Sequence, residues 1–157
     1  MPAGENTEIG KRGFQSTSVP ALAPTASPSA TKPKADKPLT PIECKRIYDE
    51  ASAAGKKAGD SAYVRPMVVS DTDTKQTYFI EDGVCGFAEV HIETARGAFV
   101  KWCKENDLGW KAYRGGYDLQ IDGGYNQSMQ RKEAFCAAFA QVLNSYGIDA
   151  WMTSRMD

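Results

Sequence analysis

The sequence is short of the residues that most often carry chemistry. It holds one histidine, His91, in 157 residues. With no spaced Ser and Asp partners around that single imidazole, a hydrolase triad has no support. The four cysteines, Cys44, Cys85, Cys103 and Cys136, never lie within four residues of one another, so no CxxC pair starts a zinc site. Their spacing leaves disulfide pairing open, but small buried hydrophobes in a reducing compartment are the expectation. No apolar run approaches the roughly 18 residues that span a bilayer, and the first residues lack a basic-then-apolar leader pattern, so no membrane partner is expected. Strong charge of either sign is also missing. A net charge of −1 argues against a nucleic-acid coat and a polybasic membrane anchor.

Proline is nearly absent beyond Pro41, with only Pro66 following, and this divides the chain. Residues 1–39 are rich in Pro, Ala, Ser, Thr and Lys and contain one aromatic, Phe14. Such a segment buries too little apolar surface to offset its conformational entropy, so a disordered or extended arm is expected. Its basic residues (Lys11, Arg12, Lys32, Lys34, Lys37) outnumber its acidic ones (Glu5, Glu8, Asp36), and a mildly basic arm can touch nucleic acid. Residues 40–157 read as one α+β domain.

Thr40-Pro41-Ile42-Glu43 is a capping box, and Cys44, Ile47, Tyr48 and Ala51 follow at helical spacing. Gly55 and Gly59 suggest an end near residue 58. Residues 63–70 and 76–81 read as strands, the first confined to an edge by Pro66. Residues 84–93 alternate as a strand. Thr94 is expected to cap a helix carrying Ala95, Phe99, Trp102 and Cys103, with Gly109 at its C-cap. Residues 110–113 and 117–121 form a hairpin around Arg114-Gly115-Gly116. Ser128 caps a helix whose stripe is Phe135, Ala138, Phe139, Val142, Leu143 and Tyr146; Gly147 ends it, and residues 148–154 form a last strand. The order β-α-β-β-α-β predicts a ferredoxin-like split βαβ antiparallel sheet, with the first helix and the two early strands added at its edge or open face.

Several strings are familiar together: Gly83-Val84-Cys85-Gly86-Phe87-Ala88, Tyr113-Arg114-Gly115-Gly116-Tyr117, Gln127-Ser128-Met129-Gln130-Arg131-Lys132-Glu133-Ala134, Gly147-Ile148-Asp149-Ala150 and Ser154-Arg155-Met156-Asp157. Over residues 60–157 the chain resembles a family of small proteins encoded by tailed bacteriophages. The resemblance implies a phage protein acting in the host cytoplasm or packaged in the virion, and it supplies no catalytic residues.

Alternation assigns the strand faces. Ala88, Val90 and Ile92 belong under the helices, and Phe87, Glu89, His91, Asp118, Gln120, Asp149, Trp151 and Arg155 belong on the open face. Phe87 and Trp151 can stack on a partner, but the surrounding carboxylates oppose RNA. Arg96-Gly97-Ala98-Phe99-Val100-Lys101-Trp102 resembles an RNA-binding string but falls on a helix. Glu89, His91 and Asp118 offer a ligand set suited to Mg²⁺ or Mn²⁺. Gly123, Gly124 and Ser128 precede a helix carrying Arg131 and Lys132. With Arg114, they form a candidate anion or nucleic-acid-backbone site. Cys85 and His91 share a strand but lie roughly 20 Å apart, too far to pair.

The expectation is a non-enzymatic accessory protein that binds a host or phage macromolecule, a protein first and nucleic acid second, as inhibitor or adaptor. Two alternatives stand beside it: a virion protein whose arm orders in the particle, and a metal-dependent or nucleotide-acting enzyme.

Overall fold

The computed structural model describes residues 38–121 and 123–157. The arm expected over residues 1–39 lies outside them except for Pro38 and Leu39, and Leu39 packs against the core. Three helices and two antiparallel sheets make up the described chain, a mixed α+β architecture.

Helix α1 spans Pro41–Ser61. Thr40 Oγ1 accepts from the Glu43 amide at 3.3 Å while the Glu43 carboxylate accepts from the Thr40 amide at 2.7 Å, closing the capping box. The helix runs past residue 58 because Gly55 and Gly59 are contact points and not breakers. A Cβ on Gly55 would stand 3.0 Å from the Phe135 ring, and one on Gly59 would stand 2.5 Å from Tyr125. Strands β1 (Met67–Ser70) and β2 (Thr77–Ile80) then form a separate hairpin, with Val68 opposite Phe79 and Val69 opposite Tyr78. Asp71 closes the turn by accepting from the amides of Asp73 and Thr74.

Strand β3 (Gly86–Ile92) alternates between buried and half-buried residues along its whole length. Helix α2 is Ala98–Glu105. Thr94 is not its N-cap: the Thr94 hydroxyl accepts from the Arg96 amide, and the helix starts from Gly97, whose φ of 120° suits glycine alone. Gly109 is not its C-cap either. Asp107, at φ 55°, turns the chain, with the Leu108 amide bonded back to the Cys103 carbonyl at 2.9 Å. Gly109 instead permits a close crossing, since a Cβ there would collide with the Asp118 carbonyl.

Strands β4 (Trp110–Lys111) and β5 (Tyr117–Leu119) are shorter than the alternation suggested. Helix α3 is Met129–Ser145, capped by Ser128, whose hydroxyl accepts from the Arg131 amide. Gly147, at φ 78°, closes it, with the Ile148 amide donating to Leu143 at 3.0 Å. Strand β6 is Ala150–Met156.

The larger sheet has the order β4-β5-β3-β6, each neighbouring pair antiparallel. Its helix side supplies Ala88, Val90, Ile92, Tyr117, Leu119 and Ala150 to a core shared with Phe99, Phe135, Phe139 and Leu143. Helix α3 lies on β3 and β6, and α1 packs along α3. The Tyr48 ring on α1 stands 5.5 Å from Phe139 and 5.6 Å from Trp102. Each fully buried Ile, Leu or Phe here contributes about 1.5–3 kcal/mol.

Candidate functional site

The site is the face of the larger sheet that the helices leave open. Among the described residues, none of 41–81 lines the two grooves on this face. Strand register sets its central feature. Trp110 on β4 stands opposite Asp118 on β5, Asp118 opposite His91 on β3, and His91 opposite Trp151 on β6. Four strands thus present one row, an imidazole–carboxylate pair with an indole at each end.

The His91 Nδ1 to Asp118 Oδ1 distance is 2.6 Å, and the two side chains are only 16% and 17% exposed. An ionised carboxylate only accepts, so Nδ1 carries the proton. The Trp151 ring leans on the imidazole with centroids 4.6 Å apart. On the other side lies Gly116, at φ 81°, where a Cβ would stand 2.6 Å from His91 Nε2. The imidazole is therefore held on three sides. The indoles are not: Trp110 is 43% and Trp151 44% exposed, and Tyr113 in the adjoining loop is fully exposed.

Farther along the face, Glu89 faces Thr153 and Phe87 faces Arg155. The Arg155 guanidinium lies 4.8 Å from the Phe87 ring centroid. Burial pushes the Glu89 carboxyl above its ordinary value; the Asp118 charge adds to this and Arg155 opposes it. Arg114, from the β4–β5 loop, lines the same groove beside Trp151, Thr153 and Arg155, and the groove has a volume of about 930 Å³.

The expected ligand set for Mg²⁺ or Mn²⁺ is not assembled. Asp118 is committed to His91, and Glu89 lies two residues down β3, about 7 Å along the strand. Among the described residues no group of three His, Cys, Asp or Glu side chains is placed to hold a metal ion.

The anion site expected from Arg114, Gly123, Gly124, Ser128, Arg131 and Lys132 is divided. Arg114 belongs to the open face. Gly124, Ser128 and Arg131 line a small pocket that also contains the Asp82 carboxylate, and Gly123 presses instead on the rings of Phe135 and Tyr125. Two donors of the α3 N-terminus are used within the chain: the Met129 amide bonds to the Val84 carbonyl at 3.0 Å, and the Arg131 amide to the Ser128 hydroxyl. The Arg131 guanidinium reaches the Gly59 carbonyl and lies over the Tyr125 ring.

Lys132 is buried. Its Nζ donates to the carbonyls of Gly86 at 2.9 Å and Asn126 at 3.2 Å. Carbonyls alternate sides along a strand, so the Gly86 carbonyl points to the side where β5 has already ended. Lys132 supplies the donor that a longer β5 would have given. All four cysteines are free thiols, and burial pushes Cys103 up to about 12.

Trp110 and Tyr113 went unassigned in the sequence reading. The register opposite Asp118 identifies Trp110; the strand expected over 110–113 (Trp-Lys-Ala-Tyr) carries one aromatic on each face, so its alternation assigns neither. Comparison of the chain with protein-family models, curated proteins and solved structures finds no match.

Proposed function

We propose that this chain is a binding protein that receives a protein partner on the open face of its larger sheet and does no covalent chemistry there. The Trp110–Asp118–His91–Trp151 row carries the reading. Exposed Trp, Tyr and Arg are the side chains that dominate the energetics of protein interfaces. Here two indoles stand roughly 14 Å apart, three strand spacings, with Tyr113 and Arg114 beside them. The His91–Asp118 pair stiffens the floor between them. Its second ring nitrogen packs against Gly116, which disfavours a role as general base.

Mixed charge supports a protein over a nucleic acid. Arg114 and Arg155 share the face with Glu89, Glu93 and Asp118, so the described residues lining its grooves mix both signs of charge and form no basic stripe that tracks a phosphate backbone. The element order β3-α2-β4-β5-α3-β6 and the strand order β4-β5-β3-β6 support a ferredoxin-like split βαβ reading. The resemblance to a phage-encoded family suggests that the partner is a host or phage protein that this chain inhibits or bridges.

Affinity capture with the full chain, from host and infected-cell lysates treated with nuclease, tests this. A protein should be retained by the wild type and lost with Trp110→Ala/Trp151→Ala. Recovery that disappears with nuclease, or that survives the double substitution, overturns the proposal.

A further inference from the structure

We infer that the partner received on the open face presents a carboxylate, from an aspartate or glutamate side chain, to Arg114 and Arg155. The inference rests on the docking reading above and names the partner's chemistry at one end of that face. Both guanidiniums line one groove of about 740 Å³, together with Phe87, Glu89, Thr153 and Ser154. They reach it from separate elements, Arg114 from the β4–β5 loop and Arg155 from β6.

The arginines are not spent on the chain itself. Among the described residues, neither guanidinium has a carboxylate within ion-pair distance or a hydrogen-bond acceptor. The Arg155 guanidinium rests 4.8 Å from the Phe87 ring centroid, a contact that steadies the cation and leaves its N–H donors unused. Lys132 Nζ stands 5.4 Å from the same ring. Its buried charge is little screened and adds positive potential beside the groove.

The acidic residues of the face do not fill the place. Asp118 is held by His91, and Glu93 follows the far end of β3. Only Glu89 lines the groove. Burial, more than the Asp118 charge, holds its carboxyl above the ordinary glutamate value. Two guanidiniums against one carboxylate leave the groove positive, with forked donors that match a two-oxygen acceptor. Arginine is also among the residues that dominate interface energetics. A nucleic acid would have to carry its phosphates on past Asp118 and Glu93 in the adjoining groove, so a single acidic side chain is the better match.

Nuclear magnetic resonance of the full chain, titrated with a peptide of alternating aspartate and glutamate, tests the inference. The Nε–Hε signals of Arg114 and Arg155 should shift with this peptide and stay still with its asparagine–glutamine counterpart. Arg114→Gln and Arg155→Gln should each weaken binding by about tenfold. Glu89→Gln removes the competing carboxylate and should strengthen binding by about threefold. Opposite signs from neighbouring substitutions mark a charge effect that a loss of structure does not produce. Arginine signals that ignore the acidic peptide, affinities indifferent to these substitutions, or tighter binding of oligothymidylate than of the peptide at these arginines overturns the inference. Lysate capture separates it from the docking reading. A protein retained by Arg114→Gln/Arg155→Gln but lost with Trp110→Ala/Trp151→Ala overturns the carboxylate site alone. Peptide binding at the two arginines with no protein captured overturns the docking reading alone.

Discussion

Asp118 reaches across from β5 to hold the His91 imidazole on β3 at 2.6 Å, and both side chains are largely shielded from water. This contact turns the centre of an open sheet face into a rigid floor. The row it anchors ends in two indoles that remain half-exposed. The pair fixes the shape of the surface, and the indoles supply its apolar contact area.

The floor depends on Gly116. Gly115 and Gly116 both have positive φ, 99° and 81°, but only Gly116 is crowded by the His91 ring and the Ile92 carbonyl. Gly115→Ala should lose about 1 kcal/mol from backbone strain alone. Gly116→Ala should lose at least about 2 kcal/mol, since strain and collision add. Urea unfolding of the two variants should separate them in that order.

Partial burial, with a smaller contribution from the Asp118 charge, raises the Glu89 carboxyl pKa. The sign follows by linkage. A raised folded-state value means that the folded protein binds this proton more tightly than the unfolded chain does. Ionisation of Glu89 therefore costs stability at neutral pH, and the cost is removed as pH falls through the raised value into and below the ordinary glutamate range. Glu89→Gln should be more stable than wild type near pH 7, and the difference should close in acid. Thermal unfolding of both proteins from pH 3 to 7 measures the gap.

Lys132 acts inside the fold. Lys132→Met keeps most of the stem but removes the donor to the Gly86 and Asn126 carbonyls, and should destabilise by about 1–3 kcal/mol. Arg131→Met, which gives up a 3.4 Å contact and a ring contact, should cost less than about 1 kcal/mol. Denaturant midpoints of the two variants test the contrast.

Much of the fold was legible because local chemistry and packing agreed there. The Thr40–Glu43 capping box, the Phe135 to Tyr146 stripe and the alternation of Ala88, Val90 and Ile92 each have a local pattern that the tertiary structure keeps. Glycine was legible only where it closes a turn. Gly147 ends α3 as read, but Gly55 and Gly59 serve a neighbouring ring that the local sequence does not reveal. Thr94 was read as a cap from residue type alone, whereas Gly97 takes the position because the backbone there needs φ of 120°. Lys132 looked like an exposed helix cation. Its burial follows from β5 stopping at Leu119, and a strand that ends before Ile121, where it was expected to, leaves no mark on the α3 sequence. The face carrying Glu89, His91, Asp118 and Trp151 was read correctly from alternation. Its partner in the row, Trp110, emerged only from the register.

Oxidative footprinting of the three tryptophans, free and in the captured complex, tests the central claim most directly. Trp110 and Trp151 lie on the proposed docking face, while Trp102 packs against the core from the helix side. The account predicts strong protection of Trp110 and Trp151 on partner binding, with Trp102 unchanged. Protection confined to other surfaces, with both indoles as reactive in the complex as in the free chain, would contradict it.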